Sequence, residues 1–327
     1  MKITPSTKRG ILFFVILFLF IFIPGLILTP SFVSKNNLGV GRNAVYSQIS
    51  TEAPHTIDAL IMGDSESYTS ISPMQLWKDK GYTVYAAGQP GANLGDTLSV
   101  LKLALKTQKP KVILLESHNL FRPRKSESVQ KQSAMAETLY SIFPALRYHS
   151  AWKHFFPQRI SKHYKGFNVN GNCKPYRGSE NYMESDKLKD VIEPANLCDL
   201  NTIRKLCKKN HIQLVIYSAP SPKNYNYRRT DRVREICMKY KLRYLDFNSM
   251  TKDLGINWST DTRDKGDHLN ISGAVKVTEF MEYYLERNFQ LKDHRKDKLI
   301  AKKWNKTYAA YEMATEKDLS KIYKKGV

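Results

Sequence analysis

Ile57-Asp58-Ala59-Leu60-Ile61-Met62-Gly63-Asp64-Ser65-Glu66-Ser67 is a mostly apolar run that stops abruptly at a glycine, an acid and a serine. A buried strand that ends in Gly-Asp-Ser delivers a serine hydroxyl to the carboxyl edge of a sheet. Open α/β sheets bind their ligands at that edge. A serine hydroxyl becomes a nucleophile only when a base takes its proton and donors hold the oxyanion that forms. The meaning of this stretch therefore depends on what the rest of the chain brings to the same edge.

Outward from it the chain alternates. The pattern predicts strands at Ile57–Met62, Thr83–Ala87, Lys111–Glu116, Gln213–Ser218 and Arg243–Phe247. Between and after them it predicts helices at Met74–Lys80 behind Pro73, Gly95–Thr107, Asn196–Lys209, Arg229–Tyr240 and Ser272–Glu286. Leu98, Leu101 and Leu105 share one face of the second helix, and Lys111–Glu116 is the kind of aliphatic run that a parallel strand buried on both faces needs. Repeated βα units point to an α/β sandwich, a parallel sheet with helices on both faces. Residues 122 to about 195 break the rhythm with aromatics and bases, including Phe143, Tyr148, Trp152, Phe155, Phe156, Tyr164, Phe167 and Tyr176. They read as an insertion over the sheet's ligand-binding edge, part helix and part loop. The aromatics suit an open stacking surface or, equally, packing of the insertion's own core.

The first residues bear on location. Ile11 to Leu28 reads ILFFVILFLFIFIPGLIL without a charge, behind Lys2, Lys8 and Arg9. That is about one bilayer span, with cations on the side that stays in the cytoplasm. The run is long for a signal-peptide core and no clear small-x-small cleavage site follows, so an uncleaved anchor is expected. A short polar linker is expected to lead from it to Thr56. The organisation is then an anchor over 1–34, a body over 35–290 and a basic tail over 291–327.

The chain has 327 residues, 42% of them hydrophobic and 11% aromatic, enough for a sizeable core. Lys and Arg number 52 against 30 Asp and Glu, a formal charge of +22. Such a surface suits nucleic acid, anionic lipid or an anionic polymer. An exported body makes nucleic acid an unexpected partner, and no acidic metal ligands cluster in sequence as a nuclease would need. The tail, Lys-rich with Trp304, Tyr308, Tyr311, Leu319 and Tyr323, reads either as an amphipathic helix on a membrane or partner or as a solvated helix. The four cysteines, Cys173, Cys198, Cys207 and Cys237, show neither a CxxC pair nor metal-ligand spacing. Disulfides are permitted outside the cytoplasm, and buried free thiols fit as well.

The missing parts of a serine site can be found late in the chain and after the next two strands. Asp261-Thr262-Arg263-Asp264-Lys265-Gly266-Asp267-His268-Leu269-Asn270 precedes the last sheet helix. A histidine there shares the edge at which strand one ends, so His268 is the candidate base, oriented by an aspartate. Gly91, after strand two, offers a backbone N–H with no Cβ in the way. Asn119, in Glu116-Ser117-His118-Asn119 after strand three, offers an amide donor. Taken singly, each has a plain reading: Asp267 and Asn270 as helix caps, Gly91 as a turn glycine, Asn119 as a loop residue bonded to nearby backbone.

Their order gives them joint meaning. A serine after strand one, a glycine after strand two, an asparagine after strand three and a late Asp/His segment resemble the SGNH (GDSL-type) hydrolase superfamily, over roughly Ile57 to Glu286. The resemblance implies a flavodoxin-like three-layer sandwich with Ser65 as nucleophile and His268 as base. It implies an oxyanion hole of the Ser65 and Gly91 N–H groups and the Asn119 side chain, with no metal or organic cofactor. The family's usual aspartate lies three residues before its histidine, where this chain has Lys265; Asp264 and Asp267 flank it. Adjacent side chains rarely point the same way, which leans toward Asp264 and leaves Asp267 open. The anchor, the GDSES block, Asp267-His268-Leu269-Asn270 with Gly273-Ala274, and the His149, Trp152-Lys153, Lys165-Gly166-Phe167 segment are similar to the membrane-anchored, envelope-facing branch of DltD-like and polysaccharide O-acetylation proteins. That branch implies an esterase or O-acyltransferase acting on cell-envelope polysaccharide or glycopolymer beside a membrane-bound O-acyltransferase. The alternative is a catalytically weak binding or scaffold component with the same fold.

Overall fold

The computed structural model describes residues 4–35, 41–123, 135–140, 142–148, 164–179, 181–184 and 190–325. The chain forms two compact units: Met1–Thr51 with Lys125–Ile160, and Glu52–Arg124 with Ser161–Val327. His149, Trp152, Lys153, Phe155 and Phe156, singled out above, lie outside the described residues.

In the first unit, Pro5–Ile27 is one α-helix, with the Thr4 side chain accepting from Thr7 N at its start. At 1.5 Å per residue its 23 residues are about 35 Å long, and it is long and apolar enough to cross a membrane. The side chains of residues 11–20 are exposed, Phe20 at 76%. Past this helix comes a short one, Pro30–Lys35, and the stretch expected as a polar linker contains another, Ala44–Ile49. The second buries Val45, Tyr46 and Ile49, and the Arg147 guanidinium lies 3.8 Å over the Tyr46 ring.

The second unit is an α/β fold. Strands β1 (Ala59–Met62), β2 (Val84–Ala86), β3 (Val112–Glu116), β4 (Gln213–Ser218) and β5 (Arg243–Asp246) form one parallel sheet in the order β2-β1-β3-β4-β5. β4 spans its expected segment and the other four strands lie within theirs, trimmed at one or both ends. Asp58, the one charge in Ile57–Met62, lies just outside β1 and pairs with His294 Nε2 at 2.8 Å. Alternate strand residues turn to opposite faces. Ala59, Ile61, Val84, Ala86, Val112, Leu114, Val215 and Tyr217 share a core with Ile71, Leu76, Val277, Met281 and Leu285, from the segments Ile71–Lys80 and Ile271–Asn288. Leu60, Met62, Tyr85, Ile113, Leu115 and Ile216, on the other face, are equally buried. The helices Leu94–Ala104, Pro194–Lys209 and Tyr227–Tyr240 bury Leu98, Leu101, Leu200, Ile203, Val233 and Ile236.

Two segments outside the sheet matter to its shape. Lys165-Gly166-Phe167 lies along the β2 edge, where Ala86 N donates to Lys165 O at 2.9 Å. A Cβ on Gly166 would sit 1.8 Å from Ala86 O, and its φ of 85° is left-handed, so only glycine fits. Phe167 and Tyr164 are buried, which makes them core packing and not an open stacking surface. The tail forms the helix Lys298–Lys325. Its buried Trp304 and Tyr311 meet Trp77, Tyr164 and Phe167, with ring centroids 5.2, 5.6 and 6.3 Å apart. Trp304 and Tyr311 are therefore spent on the protein body, while Tyr323 stays exposed. Cys207 and Cys237 are buried free thiols, and Cys173 Sγ donates to Ser259 O at 3.2 Å.

Candidate functional site

The strand order reverses between β1 and β3, and in a parallel sheet this is where a crevice opens beyond the carboxyl ends. Gly63-Asp64-Ser65 leaves β1 there. Gly63 has a φ of 147°, and a Cβ on it would meet Glu116 Cβ at 2.8 Å, so the loop passes β3 at a distance only glycine permits. Asp64 then shapes the turn: its Oδ1 accepts from Glu66 N (3.0 Å) and its carbonyl from Ser67 N (3.2 Å) and Ser67 Oγ (2.7 Å).

His268 arrives from the loop before the helix Ile271–Asn288. A bridge between Thr262 and Leu269 closes that loop at its base. Inside it, Lys265 and Gly266 have φ values of 65° and 86°, and these two left-handed residues fold the chain back. Thr262 Oγ1 accepts from Gly266 N at 2.7 Å and donates to His268 O at 3.0 Å. The result surrounds His268 with Asp264, whose Oδ1 accepts the His268 backbone N–H (2.7 Å) and whose Oδ2 lies 2.7 Å from Nδ1.

The other ring nitrogen, Nε2, lies 2.8 Å from Ser65 Oγ. A carboxylate can only accept, so Nδ1 carries the ring proton and Nε2 is left to accept from the serine O–H. Burial raises the Asp264 carboxyl, but the hydrogen bonds from the His268 ring and backbone outweigh it, and its pKa falls below the ordinary value. Asp267 Oδ1 stands farther from Nδ1, at 3.8 Å.

The two other sequence candidates stand as follows. Gly91 is exposed, with a left-handed φ of 60°. Asn119 lies in the short turn His118–Leu120, fully buried, and its Nδ2 donates to Thr97 Oγ1 at 3.0 Å. One of its two amide hydrogens is thus committed to Thr97.

Sequence reasoning missed a layer of buried charge beneath the serine. Asp64 Oδ2 lies 2.9 Å from His118 Nδ1 and also meets Arg122 Nε. Burial raises Asp64, and these two partners more than offset it, holding the carboxyl below its usual range. Glu116, at the end of β3, accepts from the Tyr225 hydroxyl and from the backbone N–H of His118 and Ala219. Burial and the nearby Asp64 charge raise its pKa to about 8. Glu66 is fully buried and its pKa is pushed well above the ordinary value, by burial first and then by the Glu116 and Asp64 charges. The acid ending the aliphatic run Val112–Glu116 was a readable signal, because a carboxylate rarely closes a buried strand without a partner.

Glu66, Asp267 and His268 bring possible metal-ligand atoms within 4.8 Å of one another. Most of these atoms are already engaged, and Glu66 Oε2 is the buried oxygen of the trio without a hydrogen-bond partner. Asn224 Nδ2 donates to Glu66 Oε1 and, at 2.7 Å, to Asp267 Oδ1, and both ring nitrogens of His268 are paired. The trio reads as a hydrogen-bonded cluster rather than a cation cage.

No known protein family matches the chain, and no curated protein matches it. Among solved structures it is similar to a crystal structure of a candidate acylhydrolase from Bacteroides fragilis NCTC 9343, at 12% identity and a TM-score of 0.40, over 75% of this chain and 96% of that one.

Proposed function

We propose that this protein is an SGNH-type serine esterase or O-acyltransferase, anchored in the membrane by Pro5–Ile27 with its α/β unit outside the cytoplasm. The observation that carries the reading is the continuous relay from Asp264 through His268 to Ser65, with contacts of 2.7 and 2.8 Å.

In this reading Ser65 Oγ attacks an acyl carbonyl while His268 Nε2 takes its proton. Asp264 keeps the imidazole in the tautomer that presents a bare Nε2 and stabilises the imidazolium that forms. The oxyanion is held by the Ser65 and Gly91 N–H groups and by the remaining amide hydrogen of Asn119. His268 returns the proton to the departing alcohol oxygen, leaving an ester on Ser65. Water then releases the acid, or a sugar hydroxyl takes the acyl group, and His268 activates either one. The chemistry draws on side chains and backbone alone.

The substrate class we propose is an acyl ester of an envelope polysaccharide or related glycopolymer, handled beside a membrane-bound O-acyltransferase. The basic surface favours an anionic polymer. Tyr176 is half-buried against Trp258, with ring centroids 6.2 Å apart, and borders Gly266 in the His268 loop, a position suited to a sugar ring. Incubating the full-length protein in detergent with acetylated and with D-alanylated wall polymers tests this. Release or transfer of the acyl group that disappears in Ser65→Ala supports the proposal; intact polymer in every case, with and without sugar acceptors, counts against it.

A further inference from the structure

Two carboxylates stand within reach of one ring nitrogen. Asp264 holds His268 Nδ1 at 2.7 Å, and Asp267 Oδ1 waits at 3.8 Å. A rigid imidazole drawn toward Asp267 would pivot its Nε2 off the 2.8 Å contact with Ser65. Something must therefore decide between the two aspartates, and its position can be read from the loop after β4.

We propose that Asn224 is a positioning residue that keeps Asp267 away from His268 and so commits the imidazole to Asp264. This rests on reading Ser65, His268 and Asp264 as the reacting relay. Asn224 Nδ2 donates to Asp267 Oδ1 at 2.7 Å and approaches the Asp267 carbonyl at 3.3 Å, so the oxygen nearest Nδ1 already has a donor. The same amide group donates to Glu66 Oε1. Glu66 is the neighbour of Ser65 and is fully buried, so Asp267 is tied to the nucleophile's own loop and not to a surface side chain.

The surroundings reinforce the grip. Ser221 Oγ donates to Asp267 O (2.7 Å) and lies 3.0 Å from Gly266 O, and Lys223 N donates to Gly266 O (3.2 Å). Asn224 is itself fixed, its N–H donating to Ser221 Oγ at 3.3 Å and its carbonyl accepting from Arg229 Nη1. An amide also suits the task chemically. It remains a donor at every pH, whereas burial pushes the pKa of the acid on its far side, Glu66, well above the ordinary value.

The test is a cycle of variants of the full chain in detergent micelles, read by the NMR resonance of the His268 Nδ1–H proton, assigned by its loss in His268→Gln. In the wild type this proton is bonded to Asp264 and resonates downfield. Asp264→Asn shifts it upfield or removes it. Adding Asn224→Ala releases Asp267, and the downfield resonance returns; a third change, Asp267→Asn, abolishes it again. Asn224→Leu, close in size and without a donor, repeats the cycle if the alanine variant does not fold. A resonance that stays lost in both double variants overturns the assignment of Asn224, because a merely structural asparagine gives no such recovery. In the single Asn224 variants, reaction of Ser65 with a fluorophosphonate is expected to slow by up to roughly 100-fold, the cost of a misplaced base. A wild-type chain that shows the resonance and never reacts at Ser65 would instead defeat the serine-hydrolase reading, while the NMR cycle still decides the role of Asn224.

Discussion

Ser65 Oγ lies 2.8 Å from His268 Nε2 although 203 positions of sequence separate the two residues. The sheet makes this meeting possible: β1 ends at the strand-order reversal, and the loop before Ile271–Asn288 folds over the same edge. The two aspartates beside that histidine are not equivalent. Asp264 accepts from the His268 ring and backbone, whereas Asp267 is occupied by Asn224. Asp264→Asn is therefore expected to reduce turnover of an activated acetate ester by roughly 10⁴-fold, the scale of losing the carboxylate behind a catalytic imidazole. Asp267→Asn should cost no more than about tenfold, equivalent to about 1.4 kcal/mol. Steady-state rates of both variants beside the wild type check the ranking; equal losses would contradict it.

Buried acids beneath the site should govern how stability depends on pH. The folded pKa of Glu116 is raised to about 8 and that of Glu66 is raised as well, so the folded state holds protons that the unfolded state has released. Their stabilising contribution is complete below the unfolded glutamate pKa and is lost as pH rises toward 8. Asp64 and Asp264 are lowered, and their contribution is lost instead as pH falls through their folded pKa values. Denaturant unfolding should therefore show stability declining from pH 5 to 8, and Glu116→Gln should flatten that decline by on the order of a few kcal/mol. A slope unchanged in the variant would argue against a neutral Glu116.

The clasp on the sheet edge offers a test with no bearing on catalysis. Gly166→Ala places a methyl group 1.8 Å from Ala86 O on a left-handed backbone, so the segment has to leave β2. The expected loss is more than about 1 kcal/mol of unfolding free energy, measured by urea titration.

The C-terminal helix is held by aromatic packing, with Trp304 buried against Trp77 and the Lys165 ammonium 4.5 Å from the Trp304 ring centroid. Trp304→Ala should weaken its docking by about 3 kcal/mol and speed limited proteolysis within Lys298–Lys325. Cleavage at the wild-type rate would mean that the helix is held by other contacts.

The sheet was legible because parallel strands buried on both faces must be short aliphatic runs, and such runs appear at regular intervals between helical patterns. Ser65 and His268 were legible for a related reason: each follows or precedes a strong element, which fixes the edge at which it emerges. The choice between Asp264 and Asp267 was legible only as a lean toward Asp264. It depends on two left-handed residues, Lys265 and Gly266, and on a side chain from another loop, Asn224, none of which has a periodic signature. Lys165-Gly166-Phe167 stood out in the sequence, yet its use at the β2 edge depends on a backbone approach visible only in three dimensions. The buried partners of Asp64 were hidden for the same reason, since His118 and Arg122 reach it from the loop after β3.

The central claim is that Ser65 is an activated nucleophile. Treating the full-length, detergent-solubilised protein with a fluorophosphonate and measuring its intact mass and peptide map tests this most directly. The account predicts a single adduct on Ser65, absent in Ser65→Ala and nearly absent in His268→Ala, while Asp264→Asn slows its formation by orders of magnitude. A folded wild-type protein that acquires no adduct at Ser65, or acquires it equally without His268, would contradict it.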